Sequence, residues 1–158
     1  MAKASLPFHD MSSMFFNASD FNQDIGDWDV SKVTDMNSMF SGANSFNHDI
    51  GNWDVSNVIN MANMLKNSFD FNQDIGNWDV SNVTDMFYMF MDASDFNQDI
   101  GAWDVSNVTD MRGLFLYASS FNQDLTQWCV SQFTTMPGDF SIYSALTASN
   151  HPDWGTCP

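Results

Sequence analysis

The chain has 158 residues, of which 20 are acidic and 4 basic, with a formal net charge of −16 and a pI near 4.1. All of the acidic residues are Asp. A charge this negative excludes nucleic acid and anionic lipid surfaces as partners, because both would repel the protein. Hydrophobic residues make up 44% of the chain and aromatic residues 15%, which excludes a disordered chain and is sufficient for the core of one domain.

The N-terminal segment and the apolar runs predict neither export signal nor membrane span. Met1–Ser5 is followed by no apolar stretch of the kind found in signal peptides, so none is expected in this chain. No apolar run approaches the ~20 residues that a helix needs to cross a bilayer, so no membrane insertion is expected.

A 25-residue tandem repeat occupies most of the chain. Trp, Phe and Met each recur with this step, and the tryptophans are Trp28, Trp53, Trp78, Trp103 and Trp128. The step divides a single repeat domain, 1–158, into a partial repeat at 1–10, five repeats over 11–135 and a C-terminal cap at 136–158. Met136 and Phe140 stand where a sixth repeat would begin, and the pattern is lost after them, as expected of a terminal cap.

Each repeat begins with a segment that has helical spacing. Met11, Met14, Phe15 and Ala18 follow the i, i+3, i+4, i+7 pattern of one apolar helix face. Thr34 or Asp35 is suited to cap the next such helix.

A turn and a very short strand follow in each repeat. The stretch 21–26, Phe-Asn-Gln-Asp-Ile-Gly, contains the Asn and Asp residues that favour turns. Trp28, Asp29 and Val30 then alternate apolar and polar, as in a strand. One helix and one strand cannot bury both faces alone, so the pattern predicts a right-handed β/α solenoid of stacked repeats with parallel strands.

The repeat unit carries a family resemblance. The unit at 71–90, FNQDIGNWDVSNVTDMFYMF, resembles the repeat of BspA-like leucine-rich-repeat surface proteins, specifically the Trp-containing PARCEL type. The residues that carry the match are Ile75, Trp78, Val80, Val83 and Met86, and the resemblance extends over all five repeats. It implies a leucine-rich-repeat-like fold, a cell-surface or extracellular location, a role in adhesion or host interaction, and no enzymatic activity.

Repeated acids are the candidate metal ligands. One column consists of Asp24, Asp49, Asp74, Asp99 and Asp124. Stacking would bring these like charges together, and calcium, which prefers carboxylate and amide oxygens, would compensate them. The alternative is that each carboxylate caps its own turn and that the Asn and Asp side chains form polar ladders, which requires no metal.

The cysteines leave a disulfide undecided, whereas the histidines give no indication of a catalytic site. Cys129 and Cys157 either form a disulfide that fastens the C-terminal cap or remain two thiols. His9, His48 and His151 fall at unrelated repeat positions, and no Ser-His-Asp, Cys-His or phosphate-binding motif is present. The sequence therefore predicts a protein that is not an enzyme and has no cofactor, unless calcium is one.

Apolar residues break the symmetry of the repeats at positions that the helical pattern turns outward. They belong to the fourth and fifth repeats and are Phe87, Tyr88, Met91, Leu116 and Tyr117. Exposed aromatic residues on adjacent repeats predict a contact surface for a protein or glycan. The alternative is that the C-terminal segment, with Ile142, Tyr143, Leu146 and Trp154, folds back and covers them.

The function that follows is a monomeric, surface-displayed repeat module that binds a protein or glycan on another cell. The rival interpretation is a calcium-stabilised structural solenoid whose Asp columns hold the ions.

Overall fold

A computed structural model describes residues 4–5 and 8–158. Its regular elements are few: strand β1 (Ala4–Ser5), strand β2 (Trp28–Asp29) and a 3-10 helix (Ala148–Asn150). β1 and β2 pair in parallel, with Ala4 opposite Trp28. Residues 1–3 and 6–7 of the predicted N-terminal partial repeat lie outside the described part of the chain.

Successive repeats nevertheless lie side by side, in register. Isolated parallel bridges join the residues at one position of successive repeats, which are Asp10, Asp35, Asn60, Asp85 and Asp110. The tryptophans also connect neighbours, because the indole N–H of Trp78 donates to the carbonyl oxygen of Ile50 at 3.1 Å. Trp53, Trp103 and Trp128 make the equivalent bond. The repeats are therefore joined by hydrogen bonds from one copy to the next.

The prediction of a β/α solenoid with one helix and one strand per repeat, of leucine-rich-repeat type, is wrong. The described residues contain no α-helix, and the predicted strand appears as Trp28–Asp29 but not at its equivalents in later repeats. The segments at 11–18, 36–43, 61–68, 86–93 and 111–118, here called turn segments, replace the predicted helices.

The backbone of the turn segments explains the error. At every second residue the N–H bonds the next repeat instead of its own turn: Ser38 donates to Ala62 at 2.9 Å and Phe40 to Met64 at 2.9 Å. The N–H groups of the alternate residues donate to the carbonyl three residues earlier, as Met39 does to Met36 and Ser41 to Ser38, and so close four-residue turns. The third and seventh residues of a turn segment have positive φ, which an α-helix does not allow. In the first three repeats these positions hold Ser, Asn and Gly, which tolerate such a φ.

The core positions were nevertheless predicted correctly in the interior repeats. Met36, Met39, Phe40 and Ala43 are all fully buried, at the spacing assigned to the apolar face of a helix. The same spacing is therefore compatible with two different backbones. The first repeat is the exception, since Met14 is exposed and Phe15 and Ala18 are only half-buried.

The aromatic core runs along the whole stack. The rings of Phe46, Phe71 and Phe96 follow one another at centroid distances of 5.9 and 6.0 Å, nearly parallel. Phe21 and Phe121 extend this column at its two ends. Each repeat thus packs chiefly on its two neighbours.

The start of the C-terminal cap, where a sixth repeat would begin, is displaced by one residue relative to the register of the earlier repeats. The N–H groups of Gly113, Phe115 and Tyr117 donate to carbonyl oxygens 25 residues further along the chain. The equivalent N–H groups of earlier repeats donate to carbonyl oxygens 24 residues further along, as Tyr88 does to Arg112. Met136 consequently does not occupy the buried place of Met111 and is 46% exposed. A disulfide between Cys129 and Cys157 joins this last segment to the fifth repeat.

Candidate functional site

The predicted apolar patch lies on the turn segments of the fourth and fifth repeats. Phe87, Tyr88, Met91 and Leu116 are half-buried, and Tyr117 is 43% exposed. The structure divides these residues into two aromatic groups, one around Phe87 and Tyr88 and one around Tyr117.

The first group carries the chain's own cations. The rings of Phe87 and Tyr88 contact each other with centroids 3.9 Å apart. Lys66 Nζ lies 5.4 Å from the centroid of Tyr88, and Arg112 Cζ lies 5.0 Å from that of Phe87. Both distances are in the range of cation–π attraction. These ring faces are therefore already occupied within the chain.

Neighbouring residues constrain the positions of Arg112 and of Tyr88. Arg112 is held by an ion pair with Asp110, 2.5 Å from its Nη2 to a carboxylate oxygen. The hydrogen bond from Arg112 lowers the pKa of Asp110. The ring of Tyr88 lies directly over Gly113, where a Cβ atom would collide with it.

The second group includes Tyr143, which belongs to the segment that, in the alternative sequence interpretation, would cover the patch. Tyr143 stacks on Tyr117 with ring centroids 5.0 Å apart and planes at 9°, and remains 72% exposed. Ile142 beside it is 43% exposed. Tyr117, Ile142 and Tyr143 are here called the tyrosine surface.

The C-terminal segment does not bury this surface. Leu146 and Trp154 turn toward the core, where Trp154 packs edge-on against Phe140 with centroids 4.9 Å apart. Ile142 and Tyr143, which precede them, extend the exposed surface. The segment therefore covers the end of the core and adds to the patch at the same time.

All three tyrosines of the chain have a left-handed backbone conformation. Tyr88, Tyr117 and Tyr143 have φ of 54°, 60° and 58°. The equivalent positions of other repeats hold small residues suited to this conformation, such as Asn63, Asn67 and glycine at 42 and 113. A bulky residue with positive φ is uncommon and strained, and such strain concentrates at functional sites. The signal was present in the sequence as tyrosine replacing turn-forming residues at two fixed repeat positions.

The predicted metal column consists of carboxylates that cap turns. Asp49 Oδ1 accepts the N–H of Gly51 at 2.8 Å, and Asp24, Asp74, Asp99 and Asp124 accept the equivalent bond in their own repeats. At Asp124 the bonds from Thr126 lower the pKa of the carboxyl group. Within residues 8–158, no three His, Cys, Asp or Glu side chains are grouped so that they could hold a metal ion.

An asparagine ladder connects the same turns. The backbone N–H of Asn97 donates to Asn72 Oδ1 at 3.0 Å, and Gln98 Nε2 donates to the same oxygen at 2.8 Å. Equivalent bonds begin at Asn22 and continue to Thr147 in the last segment. The polar residues of the repeat therefore serve its own turns and its contacts with neighbouring repeats.

One serine–histidine contact has a geometry relevant to catalysis. Ser141 Oγ lies 3.2 Å from Nε2 of His151, whose pKa is lowered by burial. Among the bonds of the described residues, none joins a carboxylate to the other ring nitrogen. The pair thus lacks the third group that orients the base in a triad.

Comparison with known proteins identifies the family. The family described as "Mycoplasma protein of unknown function, DUF285" matches residues 7–78 and 49–154, and the chain belongs to this family of Trp-rich repeats. No curated protein and no solved structure matches the chain. None of the helices in the described residues is long and apolar enough to cross a membrane.

Proposed function

We propose that the protein is a non-enzymatic, surface-displayed repeat module that binds a protein or glycan on another cell through the tyrosine surface. The family assignment does not extend to a function, so the proposal rests on the site. The proposal includes that the chain is related to BspA-like surface proteins of the PARCEL type. It also includes that the protein lies on the cell surface or in the extracellular space.

The observation that carries the proposal is the combination of exposure and backbone strain. Tyr117 and Tyr143 present large apolar rings to solvent and do so from a conformation that favours glycine or asparagine. Folding alone gives no reason to place tyrosine there, since other repeats fill the same positions with small residues. Tyrosine is also enriched among the residues that dominate binding energies at interfaces.

The repeat frame supports such a role because it is rigid and its turn segments vary. The core columns, the tryptophan bonds and the asparagine ladder are nearly the same from the second repeat to the fifth. The third and seventh residues of the turn segments change from repeat to repeat. A constant frame with variable surface positions is typical of repeat proteins that bind partners.

The test is binding of the purified protein to arrays of immobilised glycans and immobilised cell-surface proteins. Tyr117→Gly combined with Tyr143→Gly removes both rings and leaves residues that suit the local φ. Phe69→Ser is the matched control, since Phe69 is also a partly exposed aromatic residue but lies outside the tyrosine surface. We expect ligands that bind the wild type and the Phe69 variant to be lost from the double variant. Ligands retained by the double variant, or no bound ligand at all, would refute the proposal.

A further inference from the structure

We infer that the tyrosine surface takes a basic segment of a partner protein, with lysine or arginine side chains lying on the exposed rings of Tyr117 and Tyr143. This inference rests on the proposed function and specifies its partner class. It follows from what the chain does with its own cations and from the charge around the site.

The chain's own basic residues show that aromatic rings of the turn segments accept cations. Among residues 8–158 the basic side chains are Lys32, Lys66 and Arg112. Two of the three lie over aromatic rings of the turn segments, at 5.4 Å from Tyr88 and 5.0 Å from Phe87. Tyr117 and Tyr143 stack on each other, and no cation of the described residues lies over either ring.

The charge of the surroundings favours a positive occupant. The whole chain carries a net charge of −16, so that its field attracts basic segments and repels anionic ones. Acidic residues also stand on the segment that carries Tyr143 and on the turn segment bonded to that of Tyr117. Asp92 holds the same position in the fourth repeat that Tyr117 holds in the fifth, and its N–H donates to the carbonyl of Leu116 at 2.8 Å. Asp139 has the other positive-φ position of the segment that contains Tyr143.

Stacked aromatic rings also suit the face of an uncharged sugar, which is the competing occupant. A neutral sugar would gain ring contacts but nothing from the acidic field. A basic segment gains from both, because cation–π attraction and the long-range field act in the same direction. The observations therefore favour the basic segment.

The test uses a short peptide of alternating lysine and glycine, titrated into the full chain and followed by NMR at the tyrosine ring protons. The chain has only 3 tyrosines, so each ring can be assigned. We expect the rings of Tyr117 and Tyr143 to shift and that of Tyr88 to change little, because Lys66 already covers it. Affinity should fall about 10-fold in the Tyr117→Gly, Tyr143→Gly double variant, since each exposed cation–π contact is worth roughly a factor of two to five.

Three further arms decide between the occupants. The Phe69→Ser control should bind like the wild type, and the same peptide with acetylated lysines should not bind. Equal binding by the acetylated peptide, or an affinity of the double variant within about a factor of two of the wild type, would overturn the inference. A neutral oligosaccharide that shifts both tyrosine rings where the lysine peptide does not would also overturn it. That last result would leave the proposed function standing, whereas array ligands that still bind the double variant as tightly as the wild type would remove both.

Discussion

Tyr143 allows a direct measurement of the backbone strain on which the proposed site depends. Its φ is 58° and its side chain is 72% exposed. Replacing it by glycine or by alanine removes the same ring and the same stacking with Tyr117. The two variants differ from each other by one Cβ atom, so their difference in stability isolates the effect of that atom.

The expected difference follows from two opposing terms. A Cβ atom in the left-handed conformation costs about 1–2 kcal/mol. Glycine loses more conformational freedom on folding, which offsets about 0.5–1 kcal/mol of this. We therefore expect Tyr143→Gly to be more stable than Tyr143→Ala by about 0.5–1 kcal/mol. For a chain of this length that corresponds to a Tm about 1–4 °C higher.

Thermal unfolding followed by circular dichroism provides the assay, with Ile142 as the control site. Ile142 is the exposed neighbour of Tyr143 and has no positive φ. There the order should reverse, with Ile142→Ala more stable than Ile142→Gly by about 0.5–1 kcal/mol. If Tyr143→Ala proved as stable as Tyr143→Gly, or more stable, the tyrosines would not be strained and the argument for a functional site would lose its main support.

Four further outcomes test the frame. Trp78→Ala should lower the free energy of unfolding by about 3–5 kcal/mol, because a buried ring and an indole bond to the preceding repeat are lost; wild-type-like melting would contradict a tryptophan core. Asn72→Ala should cost about 0.5–1.5 kcal/mol, since the N–H of Asn97 loses its acceptor while Gln98 Nε2 keeps the backbone oxygen of residue 72, and an unchanged Tm would mean that water replaces the ladder without loss. Reducing the bond between Cys129 and Cys157 should lower the Tm by loosening the C-terminal segment; an unchanged Tm would show that packing alone holds it. Calcium and a chelator should give the same Tm, because the Asp column is engaged in turns; a rise with calcium would support the calcium-stabilised alternative, since a ligand that binds only the folded state raises the Tm.

The sequence by itself determined the repeat and the positions that form its core. The 25-residue step and the i, i+3, i+4, i+7 spacing select Met36, Met39, Phe40 and Ala43, all of which are buried. The turn chemistry of Asp and Asn was also predictable, because a short carboxylate or amide reaches N–H groups close by in the sequence. These features depend on local spacing and local bonds.

The backbone of the turn segments was decided only by tertiary structure. A helix would satisfy its N–H groups within one segment, whereas Ser38 and Phe40 donate to the next repeat. Hydrophobic spacing is the same in both cases, so no pattern within one repeat distinguishes them. The presence of Asn, Gly, Ser and Asp at the third and seventh positions was the available signal, since these residues tolerate positive φ.

The candidate site was likewise predictable from the sequence only in part. The sequence places Tyr117 in an aromatic patch and includes Tyr143 only in the alternative, in which the C-terminal segment covers that patch. Because the C-terminal cap is displaced by one residue, Tyr143 takes the left-handed backbone position equivalent to that of Tyr117. The two exposed rings then stack on each other. That displacement is seen in the bonds that Gly113, Phe115 and Tyr117 donate to the last segment. Contacts between repeats, which a single repeat does not encode, therefore made two separate tyrosines into one surface.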